Sequence, residues 1–117
     1  MAYNILVVDD EPDIREFLRN LLEDEGYRVR EAENGIAAME QVRKEKPDLV
    51  LLDLQMPEET GTGFYRKLHN SKDFGNLPVI IISGLAGRNL AVSKSVIVFD
   101  KPIDEEGLLD AIREILA

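Results

Sequence analysis

Four apolar runs in this chain end on side chains that can hold a cation or an anion. The run 3–8 stops at Asp9-Asp10, and 49–52 stops at Asp53. The run 79–82 stops at Ser83, and 96–99 ends near Lys101. If the first two runs are neighbouring strands, three carboxylates share one small space. Two like charges about 4 Å apart repel by roughly 4 kcal/mol at an effective dielectric near 20. Such a cluster must raise a pKa or recruit a cation. An all-oxygen site with few protein ligands and room for water suits Mg²⁺. Lys101 can neutralise the remaining charge or pair with an incoming anion, and Ser83 offers a hydroxyl donor.

Each residue also has an ordinary structural reading. Asp10 and Asp13 can both cap a helix, Ser83-Gly84 reads as a turn, and Lys101-Pro102 as an exposed loop. His69 is expected at the surface, since one histidine builds neither a triad nor a metal cluster. The chemical reading gains weight from coincidence. All the useful groups fall at the same edge of one sheet.

That edge depends on the elements behind it. The runs 3–8, 49–52, 79–82 and 96–99 are short and apolar on both faces, as parallel strands covered on both sides must be; 28–32 is a weaker, alternating strand. Between them lie helical patterns. Ile14, Phe17, Leu18, Leu21 and Leu22 form one stripe, with Asp13 and Glu16 as a start signal and Gly26 as a stop. Ile36, Met39 and Val42 mark a second helix, entered through Asn34-Gly35 and closed before Pro47. Phe64, Tyr65 and Leu68 mark a third, and 89–94 is a short, poorly patterned fourth. A last helix starts at Asp104 with Glu105 and Glu106, where the helix dipole favours acid, and carries Leu108, Leu109, Ile112, Ile115 and Leu116. Alternating strands and helices imply right-handed crossovers and a parallel sheet. Ligands of such sheets sit beyond the carboxyl ends of the strands, where strand order reverses.

Composition narrows the class. The 117 residues carry 14 Lys plus Arg against 23 Asp plus Glu, a formal charge of −9, with one His and no Cys. The length suits one domain, and 44% apolar residues supply a core. The absence of cysteine excludes a disulfide scaffold and thiolate metal sites. The negative charge argues against a surface built on phosphate neutralisation, hence against nucleic acid. No apolar run approaches a membrane span and no signal-peptide pattern opens the chain, so a soluble, cytoplasmic domain is expected. No P-loop, dinucleotide glycine fingerprint or nucleophile elbow occurs.

Val7-Val8-Asp9-Asp10-Glu11, Asp53-Leu54-Gln55-Met56-Pro57 followed by Gly61, Ser83-Gly84, and Lys101-Pro102 resemble the signature of response-regulator receiver domains. These are the phospho-accepting modules of two-component signalling, and the likeness runs over essentially the whole chain in order. It implies one domain over 1–117: an α/β, doubly wound, flavodoxin-like (βα)5 unit with a five-stranded parallel sheet in the order 2-1-3-4-5. It implies that Asp53 takes a phosphoryl group from the phosphohistidine of a sensor histidine kinase or phosphotransfer protein. Asp10 would bind Mg²⁺ directly and Asp9 through water, with Asp53 and the Gln55 backbone carbonyl completing the set. Ser83 would hydrogen-bond the phosphoryl group. Lys101 would pair with it, held by a peptide to Pro102 that is cis in the family. The chain would then be no ordinary enzyme but a phosphoacceptor that supports its own phosphorylation and autodephosphorylation. It would act on an output domain or effector protein, with no direct nucleic-acid contact and no membrane insertion, either standing alone or within a longer protein.

Three places depart from the family pattern. Val98 stands three residues before the lysine, where Tyr or Phe is usual, and strand alternation turns Phe99 to the opposite face. The stretch from Ser83 to Lys101 is short, and Glu59 replaces a common hydrophobic residue. The expectation is therefore that signal passes through an altered surface near 84–100, or that this end is partly disordered. Two other functions compete with this one. A haloacid-dehalogenase-like phosphatase would need two Asp two residues apart after the first strand and a cap. Here Gln55 takes the plus-two position, and the chain has no length for a cap. A non-phosphorylated docking module of receiver shape is opposed by the intact acids and Lys101.

Overall fold

The computed structural model describes residues 2–53, 60–83, 97–100 and 103–116, with Thr60, Ser83 and Asp100 through their backbone alone. Five strands, β1 (Asn4–Val8), β2 (Arg28–Ala32), β3 (Leu49–Asp53), β4 (Val79–Ser83) and β5 (Ile97–Asp100), form one parallel sheet in the order β2-β1-β3-β4-β5. Four helices are described: α1 (Pro12–Asp24), α2 (Gly35–Lys44), α3 (Thr60–Asn70) and α4 (Glu105–Leu116). The expected helix around 89–94 lies outside the described residues. This is the flavodoxin-like arrangement that the family resemblance implies, on the parallel sheet that the alternation of elements requires.

Side-chain alternation along the strands divides the core in two. Ile5, Val7, Leu49, Leu51, Ile80 and Ile82 meet Leu18 and Leu22 of α1 and Leu108, Leu109 and Ile112 of α4. Leu6, Val8, Val50, Leu52 and Ile81 meet Ala38, Met39 and Val42 of α2 and Phe64, Tyr65 and Leu68 of α3. The central strands β1 and β3 are buried at every position, which is why 5–8 and 49–52 read as unbroken apolar runs. β2 is an edge strand and shows it by mixing Arg28, Arg30 and Glu31 with buried Val29 and Ala32. Among the described residues no helix is long and apolar enough to cross a membrane.

Local signals set the helix ends, with two corrections to the reading of the sequence. Gly26 takes φ 92 after α1; its N–H donates to the Glu23 carbonyl at 3.0 Å and that of Tyr27 to the Leu22 carbonyl at 3.2 Å. This is a Schellman closure, and glycine adopts its left-handed residue without strain. At the other end, neither Asp10 nor Asp13 caps α1. Glu11 holds the N-cap position without a side-chain cap bond, because Pro12, with fixed φ and no N–H, starts the helix at the next residue. Asn34 does cap α2, its Oδ1 accepting from Ala37 N at 2.8 Å. Ile36, placed on the apolar stripe of α2, is 68% exposed instead, and Phe17, placed on that of α1, is exposed too. The stripe that packs is Ala38, Met39 and Val42, and Gly35 is buried with it.

At the amino ends of the strands a polar knot closes the sheet. Asn4, 4% exposed, donates from its backbone N–H to Asp48 Oδ2 at 2.7 Å and from Nδ2 to Glu45 Oε2 at 2.8 Å. Its Oδ1 accepts from Arg30 Nε at 3.3 Å, and its carbonyl accepts from Asp48 N at 2.7 Å. Every hydrogen-bonding group of this buried asparagine is thereby used, so it strains nothing.

Candidate functional site

The carboxyl edge of the sheet is the chemically loaded one. β1 pairs with β2 on one side and β3 on the other, so chain order reverses between β1 and β3. The last recorded pair there is Val8 with Leu52, and one residue beyond each stand Asp9 and Asp53. Since both strands are covered on both faces, these two acids remain between the layers, each 2% exposed. Asp10, one residue further out, is half-buried. A carboxylate oxygen from each of the three lies within 4.8 Å of the other two.

Asp9 is held through all its parts. Its N–H donates to the Ala32 carbonyl at 3.1 Å, its Oδ1 accepts from Glu11 N at 2.9 Å, and its carbonyl accepts from Arg15 Nη1 at 2.6 Å. Arg15 lies one turn into α1 and reaches with Nε to Glu31 Oε1 on β2 at 3.0 Å; Arg19 Nε binds the other oxygen, Oε2, at 2.6 Å. Among the described residues no buried side-chain polar atom lacks a partner.

The donor set fits a hard divalent cation. Three anionic oxygens with no nitrogen or sulfur suit Mg²⁺, and a separation within 4.8 Å is close to the ~4.2 Å between opposite ligands of an octahedral Mg²⁺. Burial of two of the three carboxylates makes their mutual repulsion costly in the absence of a positive partner, which is the condition under which a cation binds.

Of the residues singled out in the sequence, Asp9, Asp10 and Asp53 are brought together. Ser83 ends β4, next to β3, and its backbone pairs with Asp100 of β5. The side chain of Ser83 and the whole of Gln55, Glu59, Lys101, Pro102 and the stretch 84–96 lie outside the described residues. Val98 is 43% exposed while Phe99 packs on the α1–α4 side of the sheet, the opposite facing that alternation required. His69 is exposed and stacks on Tyr65 at 5.8 Å, a surface contact remote from the acids. Arg15 and Glu31 were missed from sequence. Their signal is weak, because a helix arginine and a strand glutamate sixteen residues apart become partners only once α1 lies over β2.

Comparison with known proteins points the same way. The family model of the response regulator receiver domain matches residues 5–113. The protein Rrf1 of Nitratidesulfovibrio vulgaris is 38% identical over 117 residues, spanning 100% of this chain and 85% of its own. Sporulation initiation phosphotransferase F of Bacillus subtilis is 32% identical over 120 residues, covering 99% of this chain and 95% of its own. Among solved structures, the receiver domain of a signal transduction histidine kinase from Syntrophus aciditrophicus superposes with a TM-score of 0.89 at 30% identity, covering 98% of this chain and 90% of that one. A strand order of 2-1-3-4-5, an acidic cluster at the switch point and a family match over nearly the whole length agree: the chain belongs to the response regulator receiver domains, the phosphoacceptor modules of two-component signalling.

Proposed function

We propose that Asp53 is the phosphoacceptor of this domain and that Asp9 and Asp10 hold the Mg²⁺ its reaction requires. The observation that carries the assignment is the convergence of three carboxylates, two of them buried, at one strand edge. The donor is a phosphohistidine on a sensor kinase or phosphotransfer protein in the cytoplasm. A bond forms between an Asp53 carboxylate oxygen and phosphorus as the N–P bond breaks, its electron pair leaving on the imidazole nitrogen. Phosphoryl transfer asks little covalent chemistry of a protein and much positioning and charge neutralisation. When bound, Mg²⁺ supplies positive charge against the phosphoryl oxygens. Asp9, anchored through its N–H, carbonyl and carboxylate, keeps the acidic pair in place on β1, while β3 presents Asp53 with its backbone fixed in the ladder to β4. Gln55 would offer a backbone carbonyl to the metal, Ser83 a hydroxyl to the phosphoryl group, and Lys101 a countercharge. Water attack on the acyl phosphate then resets the domain.

The switch follows from the same contacts. A phosphoryl group brings about −1.5 to −2 charges to a strand end, and drawing Ser83 towards it biases the neighbouring surface at 84–100. That surface controls an output domain or effector protein. Incubation with acetyl phosphate and Mg²⁺, read by intact mass, is expected to give one labile phosphoryl adduct that Asp53→Asn abolishes. No adduct on the wild type overturns the function, and an adduct surviving in the variant overturns the site. Amide exchange at 84–100 that is unchanged by beryllofluoride and Mg²⁺, while other surfaces respond, removes the switch.

A further inference from the structure

We propose that Arg15 is the positioning residue of the acidic site, locking the peptide unit between Asp9 and Asp10, and that Glu31 and Arg19 lock Arg15. The inference rests on the reading of those two acids as cation ligands. Asp9 leaves the β1 ladder with its N–H still bound to Ala32, which fixes the peptide before it. The carbonyl of the peptide after it accepts from Arg15 Nη1 at 2.6 Å. That peptide carries Asp10 directly, so its orientation decides where both carboxylates point. The hold is stiff because it spans elements: α1 supplies Arg15, β2 supplies Glu31, and the two meet at 3.0 Å through Nε and Oε1. Arg19, one turn further along α1, occupies the second oxygen of Glu31 at 2.6 Å, which leaves the carboxylate little freedom to turn. The Arg15 side chain is only 15% exposed and that of Glu31 30%, so neither charge is fully screened by water. A planar guanidinium can direct two N–H groups to two acceptors at once, and charge-assisted bonds of this kind are the strong ones.

Positioning and plain electrostatics predict opposite signs, which makes the idea decidable. If Arg15 acted only as a nearby positive charge it would repel a divalent cation, and removing it would tighten Mg²⁺ binding. If it acts by holding the Asp9–Asp10 peptide, removing it loosens the ligands and weakens binding. The titration uses Mg²⁺ alone, followed by calorimetry on the unphosphorylated chain. Arg15→Met is expected to raise the Mg²⁺ Kd about tenfold, the lower end for loss of a partner that orients metal ligands. Arg15→Lys keeps the charge and loses the fork, and is expected to fall between the two, about threefold above the wild type. If Arg15→Met binds Mg²⁺ as tightly as the wild type or more tightly, the proposal is wrong. If Arg15→Met does not fold, Arg15→Lys decides alone, and a wild-type Kd in that variant overturns the proposal. Acetyl-phosphate labelling of the wild type at saturating Mg²⁺ is measured beside the titration. Failure of the wild type itself to label would count against the phosphoacceptor reading and leave the comparison of Mg²⁺ affinities standing.

Discussion

Replacing Asp10 with Asn should stabilise the metal-free domain while removing its response to Mg²⁺. The carboxylate oxygens of the cluster are no more than 4.8 Å apart. At that distance two ionised groups repel by about 3.5 kcal/mol at an effective dielectric of 20 and by about 0.9 kcal/mol in bulk water. Asp10 is half-buried at the mouth of the site, so the aqueous value governs it more than the interior one. Two neighbours at about 1 kcal/mol each give about 2 kcal/mol relieved by Asp10→Asn, which conserves volume. For a domain of this size that is a rise in Tm of roughly 8 °C. Mg²⁺ at ten times its Kd stabilises the wild type by about 1.4 kcal/mol and at a hundred times by about 2.7 kcal/mol. The variant lacks one ligand charge and should gain much less. The two melting temperatures are therefore expected to converge and then cross as Mg²⁺ is added. Calorimetric melts at low ionic strength, first in EDTA and then over a Mg²⁺ series, follow this directly. A variant that melts at or below the wild type in EDTA would show that the contacts of Asp10, and not its charge, dominate. A constant gap across the Mg²⁺ series would remove Asp10 from the metal site.

Two further outcomes test the scaffold. Asn34→Ala removes the cap on Ala37 N and should cost about 1 kcal/mol, a fall in Tm of roughly 4 °C, whereas Asn34→Asp should keep most of it; equal melts for the alanine variant and wild type would deny the cap its role. Gly75→Ala would place a methyl 2.7 Å from the Ser71 carbonyl oxygen and 3.3 Å from that of His69, both backbone atoms. Urea unfolding should then show a loss of about 1–3 kcal/mol, and an unchanged midpoint would mean that the turn after α3 relaxes freely.

The sequence exposed the loaded edge because three of the apolar runs end directly on Asp9, Asp53 and Ser83, and the fourth ends two residues before Lys101. Asp9 and Asp53 follow strands buried on both faces, and such strands leave the clearest trace in a sequence. The helix starts were less legible. Asp10 and Asp13 both looked like caps of α1, yet Pro12 set the start and left Glu11 at the cap position. Ile36 fits the periodicity of α2 and still faces solvent, because which stripe of a short helix packs depends on how the helix lies on the sheet. Contacts between distant residues left no local trace at all. Nothing near Asn4 announces Arg30, Glu45 and Asp48, and nothing near Asp9 announces Arg15 with Glu31.

The polar knot at Asn4 has a bearing on where this chain can change length. Asn4 and Asp48 stand 44 residues apart, and Asp9 and Asp53 have the same separation. The two pairs therefore clasp the β1–β3 ladder at its opposite ends at one spacing, the first through hydrogen bonds and the second through the cation we propose that it shares. Residues added to the connection between Gly26 and Arg28, or after Lys44, change both separations equally and leave both clasps closed. A single residue added inside either strand opens one clasp or the other, and turns every apolar side chain beyond it to the wrong face. Insertions are thus expected to be tolerated between these strands and excluded within them, and the distance from the first clasp to the second is the one dimension of the domain that cannot drift.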